Sequence, residues 1–205
     1  MVYATLHRTL VAACGLVGCF SADAKDAEET TVARVQSITE FDGQDGMNWQ
    51  VVNDGVMGGL SEGKLTPNPA GTLLFSGMLS LENNGGFSTF RSGDLKLDLS
   101  HALGLRVRVK GDGRRYQLRL ATDARFRGME VSFAAEFATQ KGEWIEVKVP
   151  FASFKGSFRG LDLPEERLDT SKVRRVSVLL GDKKQAPFEA EFDFIRTYGA
   201  SASKG

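Results

Sequence analysis

A chain of 205 residues, 41% of them hydrophobic, is long enough to close one domain around a sizeable core. Its 26 basic and 26 acidic residues cancel, so nothing in the bulk charge points to a nucleic-acid or anionic-membrane partner. Twenty-three glycines and fourteen phenylalanines, with few long helical patterns, favour β structure with many turns.

The first segment in chain order stands apart from the fold. Arg8 precedes the apolar run Thr9–Phe20, and Ser21-Ala-Asp-Ala24 then ends in an Ala22-x-Ala24 pattern that fits a signal-peptidase site. The run is too short to span a bilayer as a helix. Residues 1–24 read as an export signal for a bacterial periplasmic or envelope protein, with a mitochondrial transit peptide as the alternative. Leu16-Val-Gly-Cys19 also resembles a lipobox, in which Cys19 becomes the lipidated first residue, so lipidation and cleavage after Ala24 both stand. Cys14 and Cys19 are the two cysteines of the sequence, which leaves the rest without disulfide or thiol chemistry. Residues 25–37, polar and acidic at their start, read as a flexible tether.

From Ile38 to Tyr198 short strand-like segments alternate with turn signals. Gly71–Leu81 is β-rich between glycine-containing turns. Leu105, Val107 and Val109 alternate with Arg106, Arg108 and Lys110, and Gly111-Asp-Gly113 then leads into Tyr116–Leu120, which alternates again. That pair reads as a hairpin. Met129, Val131, Phe133, Ala135 and Phe137 share a face, as do Ile145, Val147 and Val149, whose strand stops at Pro150 for want of an N–H donor. One helical turn is expected over Pro164–Leu168. Val173–Leu180 and Phe188–Ile195 supply two more strands, and 199–205 reads as a flexible tail. The sum is one all-β domain over 38–198, an antiparallel β-sandwich.

Catalytic chemistry is sparse. His7 falls in the export segment, and His101 follows a strand end with no nucleophile elbow, so it reads as a loop or capping residue. Zinc sites built from His and Cys are excluded, and no phosphate-cradling glycine run exists. Asp54, Glu82, Asp112, Glu136 and Glu143 could in principle supply a carboxylate pair for glycoside hydrolysis. On alternating strands such acids are ordinarily the wet face. No catalytic, cofactor or metal residue is therefore assigned; a calcium ion held by backbone oxygens would leave no readable motif.

Two polar, glycine-rich clusters remain: Asn53-Asp-Gly-Val-Met-Gly-Gly-Leu-Ser61 and Glu82-Asn-Asn-Gly-Gly-Phe-Ser-Thr-Phe-Arg91. As corners they need no further role, since Asn and Gly tolerate left-handed backbone. If the loops meet, however, amides, backbone groups and Arg91 would surround Met57 and Phe87 and make a recognition surface. The candidate partner-binding residues are Asn53, Asp54, Met57, Gly58, Gly59 and Ser61 on the first loop. On the second they are Asn83, Asn84, Gly85, Gly86, Phe87 and Arg91. Trp49 and Trp144 read as core supports.

These residues carry a resemblance. Trp49, Val52-Asn-Asp-Gly-Val-Met-Gly-Gly59, Ser61, Phe75-Ser-Gly77, Asn83-Asn-Gly-Gly-Phe87 and Arg91 resemble the CIA30 family, that of the mitochondrial complex I intermediate-associated protein. The similarity continues through Gly111–Tyr116, Trp144, Val149-Pro-Phe151, Phe154, Phe158-Arg-Gly160 and the closing strand. It implies a jelly-roll sandwich of the galactose-binding-like kind. It also implies a non-enzymatic role without cofactor: a protein-binding assembly factor, like the chaperone for NADH:ubiquinone oxidoreductase. The alternative is a carbohydrate-binding module of an exported or surface-anchored protein. In that case Asp54, Asn83 and Asn84 would supply polar groups and Tyr116 or Trp144 an aromatic platform.

Overall fold

Residues 35–199, apart from the side chains of Val56 and Met57, are described by a computed structural model. The expected export signal, Cys19, most of the tether and the tail from residue 200 lie outside the described residues. Hydrogen bonding to the fold is present before Ile38, where the Gln36 N–H donates to the Thr197 hydroxyl at 2.7 Å.

Two antiparallel sheets make the sandwich. The first runs β3 (Glu62–Asn68), β4 (Thr72–Leu79), β13 (Ala186–Tyr198), β6 (Gly104–Lys110), β9 (Trp144–Pro150), with β1 (Ser37–Thr39) also against β13. The second runs β11 (Leu161–Asp162), β10 (Lys155–Phe158), β8 (Met129–Ala138), β7 (Arg115–Phe126), β12 (Arg175–Leu180), β5 (Ser88–Arg91), β2 (Gln50–Asn53). Among the described strands the consecutive pairs that form hairpins are β3–β4, β7–β8 and β10–β11. Most other connections carry the chain from one sheet to the other, in the jelly-roll manner.

Period-two alternation explains the core. Val131, Phe133, Ala135 and Phe137 of β8 are buried, while Met129, at the strand's start, stays 41% exposed. Leu105, Val107 and Val109 face inward from the other sheet. Phe90 joins the two layers, its ring 5.0 Å from Phe75, 5.3 Å from Phe192 and 5.4 Å from Trp49. Aromatic pairs of this kind are each worth roughly 0.5–1.5 kcal/mol beyond the area they bury. Trp49 is thus the core support its position suggests. Trp144 is not: it sits on the outer face of its sheet, with Arg108 and Lys110 over its ring at 4.9 and 5.2 Å. The alternation of β9 has Ile145, Val147 and Val149 inward, so Trp144 must point the other way.

The expected hairpin across Gly111-Asp-Gly113 does not form. β6 pairs with β13 and β9, whereas β7 pairs with β8 and β12, so this turn is a crossing between sheets. Arg114, 8% exposed, fixes the crossing. Its guanidinium donates to both carboxylate oxygens of Asp182, at 3.0 and 2.6 Å, and to the carbonyls of Lys184, Ala186 and Pro187. Pro164–Glu165 forms only a turn. The helical turn of this region is Thr170–Lys172, where Asp169 caps by accepting from the Ser171 N–H at 3.1 Å.

Candidate functional site: two loops tied by a buried aspartate

Because β2 pairs with β5 and β3 with β4, the connections β2–β3 and β4–β5 leave the sandwich at the same end. The two polar-glycine clusters are these connections, and they do meet. Asp54, 1% exposed, is the knot. Its Oδ1 accepts from the Ser61 N–H at 2.9 Å. Its Oδ2 accepts from the Ser61 hydroxyl at 2.6 Å and from the N–H groups of Gly86 and Phe87 at 2.6 and 3.2 Å. Asn53 Oδ1 accepts from the Ser88 hydroxyl at 2.6 Å, and Asn83 Nδ2 donates to the Gly58 carbonyl at 3.1 Å.

The glycine content follows from this closeness. A Cβ on Gly59 would lie 2.4 Å from Asp54 Cγ, and one on Gly85 would lie 2.6 Å from Asp54 Oδ2. Only hydrogen fits at either position. Asn83 and Asn84 supply successive left-handed residues, with φ of 54° and 58°.

Burial alone would raise the Asp54 pKa, but the Ser61 hydroxyl and the amides of Gly86, Ser61 and Phe87 outweigh it and hold the carboxyl below the ordinary aspartate range. Asp182 is held low in the same way, by Arg114 against its own desolvation. For both groups the stabilisation is complete above the unfolded value of about 3.9 and is lost as pH falls through the lower folded-state value. Urea unfolding measured against pH should therefore show stability falling below about pH 4, and Asp54→Asn should make that fall shallower. Equal slopes would mean that the Asp54 carboxylate is not held in this way.

Asp54 thus has its lone pairs committed inward. What the knot offers to solvent is its rim: Leu60 at 52% exposure, Leu81 at 39%, and the exposed Gly58, Asn83 and Asn84. The Ser80 N–H donates to Ser61 Oγ at 3.1 Å, which brings the segments bearing the two leucines together. Phe87 is half-buried behind the rim, and the Met57 side chain lies outside the described residues.

Arg91 does not join the loops. It lies on the outer face of the seven-stranded sheet, in register with Gln50 and Ser177. Continuing across that face, Ser177 is opposite Arg119, Arg119 opposite Ala134, and Ala134 opposite Lys155. Arg91, Arg119 and Lys155 thus stand two strands apart, about 10 Å from one to the next. Burial lowers the Arg119 pKa, and its guanidinium donates to Gln117 at 3.0 Å. Alternation in 116–120 already puts Arg119 on the outer face; what sequence could not supply is the neighbour on either side.

The remaining carboxylates do not converge with Asp54 on a reacting position. Asp112 accepts from the Tyr116 hydroxyl and the N–H groups of Arg114 and Glu189, Glu136 pairs with Arg115, and Glu82 and Glu143 are exposed on separate loops. Among the described residues no cluster of three His, Cys, Asp or Glu side chains could hold a metal ion. Tyr116 is fully buried, with its pKa raised chiefly by desolvation, and cannot serve as an open platform. A cleft of about 370 Å3 does open beside Trp49, lined also by Phe41, Leu65, Asp42, Asp45 and Asn68.

Comparisons with known proteins agree with this architecture. Solved structures of the family 11 carbohydrate-binding module from Clostridium thermocellum share the fold. One, of the module from the cellulase Lic26A-Cel5E, has a TM-score of 0.62 at 17% identity, covering 85% of this chain and 100% of the module. Another, in complex with a β-1,3-1,4-mixed-linked tetrasaccharide, has a TM-score of 0.59 at 16% identity, covering 81% and 96%. In sequence, the Mus musculus protein named complex I intermediate-associated protein 30, mitochondrial, is 28% identical over 200 residues. That match takes in 86% of this chain but 60% of the mouse protein, so the chain spans well under the whole of that relative. The profile of the family described as complex I intermediate-associated protein 30 matches residues 39–192, and the chain belongs to the CIA30 family.

Proposed function

We propose that this domain is a non-enzymatic assembly factor that holds a protein partner against the rim of the two joined loops. The observation that carries this reading is the pairing of a rigid, inward-facing knot with outward-facing Leu60 and Leu81. Loops fixed before contact lose little entropy on binding, and apolar groups exposed beside amides suit a protein surface. Family membership supports partners of the kind named for the mouse relative, intermediates of complex I. The export reading of residues 1–24, with lipidation at Cys19 or cleavage after Ala24, would put the domain at the bacterial envelope; a mitochondrial location is the alternative.

Affinity purification from the native membrane fraction should recover respiratory-complex subunits with the wild-type chain. They should be lost with Leu60→Ser/Leu81→Ser and kept with Leu103→Ser, a control at another exposed leucine. Subunits held equally by all three would sink the rim as the contact. None with any of them would sink the assembly role and favour a second reading, supported by the cleft beside Trp49, in which an aromatic ring, two carboxylates and an amide meet as in a sugar subsite. Binding of mixed-linked glucan, weakened by Asp42→Ala at the exposed edge of the cleft, would then be the expected result.

A further inference from the structure

The chain contains one short pattern twice: Phe126-Arg-Gly-Met129 and Phe158-Arg-Gly-Leu161. Each copy is the tip of a two-residue hairpin, with Phe126 opposite Met129 and Phe158 opposite Leu161. Because β8 pairs with β10, the tips stand side by side, with the phenylalanine rings 5.5 Å apart. Each arginine lies over its own ring, Arg127 at 5.3 Å from Phe126 and Arg159 at 5.5 Å from Phe158, and Arg159 reaches the Met129 sulfur at 3.8 Å. Met129 and Leu161 are 41% and 52% exposed.

Both turns have positive φ at both central residues, 51° and 78° for Arg127 and Gly128, 47° and 83° for Arg159 and Gly160. That is the type I′ signature, whose first position favours Asn, Asp or Gly. Arginine there costs conformational energy, and the chain bears that cost twice at adjacent points. The charges are also free. Among the described residues neither arginine is within ion-pair distance of a carboxylate, and nearby Arg125 donates only to backbone carbonyls. Glu130, next to Met129, is held by Arg175 at 2.6 Å.

We infer that the twin hairpin tips are a docking site for a bilayer bearing anionic headgroups. Arg127 and Arg159 would meet phosphates at headgroup depth, while Met129 and Leu161 enter the acyl boundary and the phenylalanines back them. Charge complementarity selects the anionic lipid.

The test uses the full chain with vesicles of equal parts phosphatidylcholine and phosphatidylglycerol, against phosphatidylcholine alone. Arg127→Asn/Arg159→Asn removes both charges and suits the turn, so the fold is kept. Partition to the anionic vesicles should fall roughly thirtyfold, with little change on neutral ones. In a second arm, Leu161→Trp places a reporter on the tip itself. Brominated acyl chains should quench it in anionic vesicles beyond the background that Trp49 and Trp144 give in the parent, whatever the apolar run at residues 9–20 contributes. Both results are required. Unchanged partition, or no excess quenching, overturns the proposal; loss of a co-purifying acidic protein with partition unchanged would make the tips a protein contact instead.

Discussion

Asp54→Ala should cost the domain about 4 kcal/mol, because it strands the Ser61, Gly86 and Phe87 N–H groups and the Ser61 hydroxyl around an empty space. In a domain of this size that corresponds to a drop in Tm of about 10 °C or more. Asp54→Asn keeps the shape but turns an amide NH2 toward donors and gives up the charge, for a loss of about 2 kcal/mol. Thermal unfolding of the three proteins checks the order. If Asp54→Ala were within about 0.5 kcal/mol of wild type, as surface substitutions are, the knot would not hold the two loops. Partner capture with Asp54→Asn at a temperature where it stays folded would then separate loop rigidity from loop chemistry.

The second large effect belongs to Arg114. Arg114→Met leaves the Asp182 carboxylate, 11% exposed, without its cation and deprives three carbonyls of a donor. Removing one partner of a buried pair costs about 3–5 kcal/mol. Arg114→Lys should recover only part of that, since an ammonium cannot reproduce the two-pronged contact with Asp182 while also reaching the carbonyls. Denaturant unfolding of Arg114→Met, Asp182→Asn and the double variant checks the coupling. The double variant should lose clearly less than the sum, and strict additivity would show that the two side chains act independently.

Strands were legible wherever one face is apolar: Leu105 to Val109, Val131 to Phe137 and Ile145 to Val149 each declare their period. The encounter of the two Asn/Gly loops was foreseeable as a condition, because their residue types announce tight geometry. Partnership between strands was not legible. Gly111-Asp-Gly113 is a good turn sequence, and turn chemistry specifies a local reversal without saying which sheet receives the next strand. Trp144 reads as a core support by residue type, yet its parity with Glu146 and Lys148 on β9 puts it outside. The burial of Arg114 was not legible, since its ligands are one aspartate and three carbonyls some seventy residues away. Arg91 falls in the second cluster by sequence, yet four residues of extended strand carry it about 13 Å from Phe87.

The place of β13 bears on how the protein is made. It lies between β4 and β6, so it alone joins the β3–β4 pair to the β6–β9 pair. During synthesis those pairs emerge early and have no shared neighbour until residue 198 has left the ribosome. The six-stranded sheet is therefore closed last, by its central member, through contacts distant along the chain. Such topologies fold on the order of milliseconds to seconds, slowly for a single domain. Until then β4 and β6 each lack the neighbour they share, so truncation before Ala186 should leave the two pairs without the strand that makes them one sheet.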